Sequence, residues 1–121
     1  MKALIYIFIG GGTGSVLRYL FTIFVNRQTD TFFPWGTFAV NIIGCILIGL
    51  FYTITSKMYI TNEIRMMLTI GLCGGFTTFS TFCNENLSLL QDGHYLTFFS
   101  YVIASIVLGI LGVMFGVWIS D

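Results

Sequence analysis

Four long apolar stretches joined by short polar connections leave this chain only one solvent in which to fold. Ala3–Val25, Gly36–Ser56, Ile64–Leu90 and Tyr95–Ile119 are each long enough to cross a bilayer, since about 30 Å of hydrocarbon takes about 20 helical residues. They nearly fill residues 1–121, so the chain reads as a single four-span membrane domain with no room for a soluble one. Charged residues make up 8% of the chain and hydrophobic residues 56%, whereas a soluble domain carries about 25% charge. A soluble chain this short buries only about 60–70% of its surface and could not hide so much Phe, Ile and Leu. That excludes a soluble enzyme, a nucleic-acid binder and a disordered protein. Ala3–Ile9 leads into Gly10-Gly11-Gly12 and Arg18 without a small-residue cleavage site, so the first span is expected to be retained.

Four spans place both termini and the second loop on one side of the membrane. That side carries Lys2, Lys57 and Arg65; the other carries Arg27, with Arg18 some way inside span one. This balance gives the positive-inside rule almost nothing to act on. Either another factor fixes topology, or the chain inserts both ways round and can pair antiparallel.

Polar residues inside the spans are functional candidates, because lipid has no use for them. In span one, Gly10 and Gly14 form a G-x-x-x-G pair for close backbone approach. Arg18 must snorkel, pair with an acid, join a polar network or face a water-filled vestibule. In span two, Thr37, Asn41 and Gly44 share one face. The Asn41 amide either makes an interhelical hydrogen bond or lines a polar pathway as a donor. Span three carries Gly74-Gly75 followed by Thr77-Thr78, a poor helix centre. A mid-membrane break over Gly74–Thr78 is expected, with carbonyls that need protein, water or an ion. Phe79 and Phe82 are helical neighbours beyond it, serving either as packing or as positive ring edges toward an anion. Glu85 either pairs with Arg18 or faces a mouth. The span-four stripe Tyr101, Ser105, Gly109, Gly112, Gly116 reads as a close-packing seam with two hydroxyls. Cys45, Cys73 and Cys83 read as small buried hydrophobes and His94 as a solvated loop residue.

These residues match a family. Gly11-Gly12-x-Gly14-x-x-x-Arg18-Tyr19, Pro34-x-Gly36-Thr37-x-x-Val40-Asn41-x-x-Gly44 and Gly71-x-x-Gly74-Gly75-x-Thr77-Thr78-Phe79-Ser80-Thr81-Phe82, with Glu85 three residues on, carry the resemblance. The chain resembles the Fluc (CrcB-type) fluoride channels over nearly its whole length. The resemblance implies an all-α membrane fold, an antiparallel dual-topology dimer, two fluoride pores and a structural sodium ion at the dimer centre. It implies Phe79, Phe82 and Asn41 in the pore, with Ser80, Thr81, Tyr101 and Ser105 along a polar track. The carbonyls of Gly74 and Thr77 would hold sodium, and Arg18 suits a vestibule. Fluoride and membrane lipid are the implied partners, with no nucleic acid. Some family members pair unlike subunits, so a homodimer and a heterodimer both stand. The implied place is a prokaryotic inner membrane.

Two other readings weigh less. A small dual-topology multidrug exporter needs a membrane-embedded acid in its first span, and Ala3–Val25 has none. A non-conducting assembly subunit would not need Asn41, Thr78, Ser80 and Thr81 within its spans. No spanning histidine, metal-ligand set or nucleophile–base pair suggests an enzyme, and no nucleotide-binding loop suggests coupling to ATP.

Overall fold

The computed structural model describes all residues, 1–121, and is entirely helical. Helix α1 spans Lys2–Gln28 and α2 spans Trp35–Lys57. The third crossing is composite: α3 (Asn62–Met66), a π-helical stretch (Met67–Cys73), α4 (Gly74–Phe76) and α5 (Phe79–Gln91). Helix α6 covers Tyr95–Ser120. Four helical segments are thus long and apolar enough to cross a membrane, each over one of the predicted stretches.

Small residues set the packing. Side chains at Gly10 and Gly14 would run into the Met67 and Leu72 carbonyls, so α1 lies backbone to backbone on the π-helical stretch. Gly109, Gly112 and Gly116 on α6 face Cys45 and Ile46 of α2, which makes the span-four stripe the α2–α6 seam. Loop 29–34 folds back at Phe33, whose ring meets Trp35, Phe38 and Tyr101. Lys57 ties the ends of α2 and α6 through Asp121, 3.0 Å away on the surface.

Only 18 of 121 residues are buried within the single chain, and Leu, Ile, Phe and Val dominate the outside. Such a surface suits lipid or another apolar partner, not water. Two expectations need correction here. Cys83 is exposed on the outer face of α5 and Cys45 is only half-buried, leaving Cys73 as the buried thiol. His94 is not freely solvated: its ring stacks on Phe32 at 3.9 Å between centroids, closing the third loop against the first.

Candidate functional site

The interruption in the third crossing is narrower than the expected Gly74–Thr78. Gly74, Gly75 and Phe76 remain helical, and only Thr77 and Thr78 are extended, with φ/ψ of −92°/159° and −150°/119°. The physical reason lies outside the local sequence. A Cβ at Gly75 would meet the Gly11 carbonyl and Ser15, so the backbone of α1 grips this turn and holds it helical. The break then falls at the first residues whose hydroxyls can terminate one helix and start the next. Thr77 donates both its N–H (3.0 Å) and its hydroxyl (2.9 Å) to the Cys73 carbonyl. The Thr78 hydroxyl accepts from the Thr81 N–H at 3.2 Å, which is an N-cap for α5.

Asn41 clamps this break from α2. Its Nδ2 donates to the Thr78 carbonyl at 3.1 Å, and its Oδ1 accepts from the Thr78 N–H at 2.8 Å. An amide has two N–H donors, so one remains beyond the clamp. Arg18 approaches from α1, and its Nε donates to the Gly75 carbonyl at 3.0 Å. None of the hydrogen bonds made around the break by Arg18, Asn41, Thr77 or Thr78 ends on the carbonyl of Gly74 or Thr77.

A cavity of about 410 Å³ opens beside the break. Of the predicted residues, Asn41, Gly74, Thr77, Phe79, Phe82 and Ser105 all line it. The Ser105 hydroxyl is buried and has no hydrogen-bond partner. A buried unsatisfied hydroxyl costs about 1–3 kcal/mol, and Ser105 is the one wall residue whose hydroxyl is buried without a partner. Phe79 and Phe82 stack with centroids 5.9 Å apart; Phe79 is 77% exposed, whereas Phe82 packs edge-on against Tyr101 at 4.9 Å.

The other candidates lie around this cavity, not on its wall. Ser80 and Thr81 crowd the Thr78 hydroxyl at 3.5 and 3.0 Å, forming a hydroxyl cluster at the start of α5. Tyr101 is fully buried behind Phe82 and donates its hydroxyl to Glu85 Oε1 at 3.2 Å. The Arg18–Glu85 pairing is therefore not formed: the two side chains have separate partners, Gly75 and Tyr101. Arg18 is likewise absent from the cavity wall. Sequence reasoning places Thr78 in the break and among the polar residues of the spans, but not as the residue that Asn41 clamps and that caps α5. It missed Cys45, Cys73 and Thr69, which share the wall: Thr69 and Cys73 lie on the π-helical stretch, and Cys45 comes from α2.

Comparison with known proteins places this geometry in context. Residues 5–117 match the sequence profile of the family described as "CrcB-like protein, Camphor Resistance (CrcB)". A protein of Phocaeicola vulgatus named "Fluoride-specific ion channel FluC" is 70% identical over the whole of both chains. Proteins of the same name from Bacteroides fragilis and Flavobacterium psychrophilum are 54% and 46% identical, each covering at least 98% of both chains. With its profile match and its full-length relatives, the chain belongs to the CrcB-like family.

Proposed function

We infer that this chain is a subunit of a fluoride-selective channel, a passive ion channel and not an enzyme, in a bacterial cell membrane. The named relatives are bacterial fluoride channels. The observation that carries the reading is the cavity that joins Asn41, the Phe79–Phe82 pair and the partnerless Ser105 hydroxyl. Fluoride is small and strongly hydrated, so a selective path must replace its water with close donors. The free N–H of Asn41 and the Ser105 hydroxyl supply neutral donors, and the Phe79 and Phe82 ring edges supply weak positive charge. Neutral groups let the ion leave as well as enter. The Ser80–Thr81 hydroxyls and Tyr101 continue the polar track toward Glu85. An interior-negative potential drives fluoride out, worth about 2.3 kcal/mol per charge for each 100 mV.

The finer architecture is part of the same proposal. Two copies pair antiparallel, with each break near the bilayer midplane and a pore on either side of the two-fold axis. The weak charge bias between the faces and the apolar exterior support this arrangement. A unlike-subunit pair would use the same surfaces. A structural sodium ion fits the carbonyls of Gly74 and Thr77. Both residues line the cavity, the break's side-chain hydrogen bonds pass their carbonyls by, and the space where a Gly74 side chain would stand is open. Hard carbonyl oxygens suit a hard cation, which would neutralise carbonyls gathered at the subunit interface.

The test is efflux from liposomes containing the purified protein, with fluoride and chloride loaded in turn. Fluoride release with chloride retained is expected. Equal release of both anions, or transport that follows a pH gradient with drug cations and ignores fluoride, refutes the reading.

A further inference from the structure

Arg18 stands where a vestibule residue is expected, yet one N–H of its guanidinium is donated to the backbone of another span. Its Nε–H donates to the Gly75 carbonyl at 3.0 Å, across 57 positions of sequence. That carbonyl belongs to the last turn of the first half of the third crossing. A helix that ends leaves its last four carbonyls without intrahelical donors, and the carbonyl end carries partial negative charge that favours a cation. In a continuous helix the amide four residues on, that of Phe79, would fill the Gly75 carbonyl. The extended pair Thr77–Thr78 separates the two halves of the crossing at this point.

Two of these terminal carbonyls have partners from outside the helical ladder or from its end cap. Thr77 takes the Cys73 carbonyl twice, through its N–H and its hydroxyl. Arg18 takes that of Gly75. Gly74 lies between them, and Thr77 follows two residues after Gly75. Asn41 fixes the far side of the break through Thr78. Two side chains from two different helices thus hold the backbone on both sides of Thr77, while the Gly74 and Thr77 carbonyls stay out of this network.

We propose that Arg18 is a positioning residue for the cation site: it caps the first half of the broken span at Gly75 and thereby presents the Gly74 and Thr77 carbonyls. The proposal rests on the sodium reading above. It differs from a vestibule role in what a lysine can replace. Lysine keeps the positive charge, but it lacks a guanidinium Nε–H fixed in a planar fork. A vestibule needs only the charge, whereas the cap needs the donor.

The experiment uses the full-length protein in detergent and measures the sodium concentration that half-saturates protection against thermal unfolding, with potassium keeping ionic strength constant. No fluoride flux enters this readout. Arg18→Lys is expected to raise the half-saturating concentration about tenfold, the scale of one lost charge-assisted hydrogen bond. Arg18→Gln, shorter and uncharged, is expected to shift it at least as far. An unchanged half-saturation in folded Arg18→Lys overturns the proposal, and reduced fluoride flux in that variant would then assign Arg18 to the anion. Failure of both variants to fold in saturating sodium also overturns it, because Arg18 then maintains the fold as a whole. Parent protein that gains no protection from sodium refutes the cation reading itself, a result distinct from an unchanged Arg18→Lys.

Discussion

Asn41→Asp exchanges one N–H₂ for an oxygen at nearly constant volume, and the geometry of the break sets two separate costs. Asn41 Oδ1 accepts from the Thr78 N–H at 2.8 Å, and aspartate retains that bond. The Nδ2 donation to the Thr78 carbonyl at 3.1 Å is lost, and an oxygen lone pair faces the carbonyl instead. Leaving one partner unsatisfied costs about 1–3 kcal/mol of stability, a loss the fold can survive. The second cost falls on the ion. A carboxylate about 4 Å from fluoride repels it by about 4 kcal/mol at an effective dielectric constant of about 20. That is roughly a thousand-fold in occupancy, so the flux effect outweighs the folding effect. Asn41→Leu separates the two, because it removes the whole clamp and adds no charge. The assay is fluoride efflux from liposomes, normalised to folded protein recovered by size exclusion. Asn41→Asp is expected to fold at reduced thermal midpoint with flux near background, and Asn41→Leu to lose more stability. Parent-like flux per folded Asn41→Asp would show that Asn41 is only a clamp and that fluoride passes elsewhere.

The remaining predictions use the same normalised flux and thermal midpoints. Phe79→Ile and Phe82→Ile should both lower flux and both lose the stacked pair, but Phe82→Ile should lose about 0.5–1.5 kcal/mol more stability, for its edge contact with Tyr101; equal stability losses would contradict the packing difference. Ser105→Ala removes a buried hydroxyl that has no partner, so the fold should hold or gain slightly while flux falls; a large stability loss would mean that the hydroxyl is bonded. Gly14→Leu drives a side chain into the Leu72 carbonyl and should abolish folded protein, whereas Gly12→Ala meets nothing within 4 Å and should shift stability by less than about 0.5 kcal/mol; similar yields of the two variants would refute the backbone contact between α1 and the third span.

The break shows how local and tertiary information divide. Gly74-Gly75 before Thr77-Thr78 marks span three as a weak helix, and that much follows from propensity. Propensity alone puts the glycines in the break, yet they are helical, because Gly75 is pressed against Gly11 of another span. The interruption moves on to the threonines, whose hydroxyls can cap. The side-chain partners follow the same pattern. Arg18 and Glu85 are opposite charges in an apolar chain, so pairing is the natural expectation from sequence. The fold gives each a different partner, because α1 carries Arg18 to the end of α4 while α5 faces Tyr101 on α6.

The sequence by itself determined the solvent, the number of crossings and the identity of six of the thirteen cavity residues. Hydrophobic length, missing charge and the spacing of small residues are local quantities that the bilayer reads directly. Only the tertiary structure decided which carbonyls around the break are occupied, which side of Phe82 Tyr101 takes, and that Ser105 is left without a partner. The reason is that a hydrogen bond between spans depends on the rotation and height of two helices, and these are set by backbone contact at glycines far along the chain.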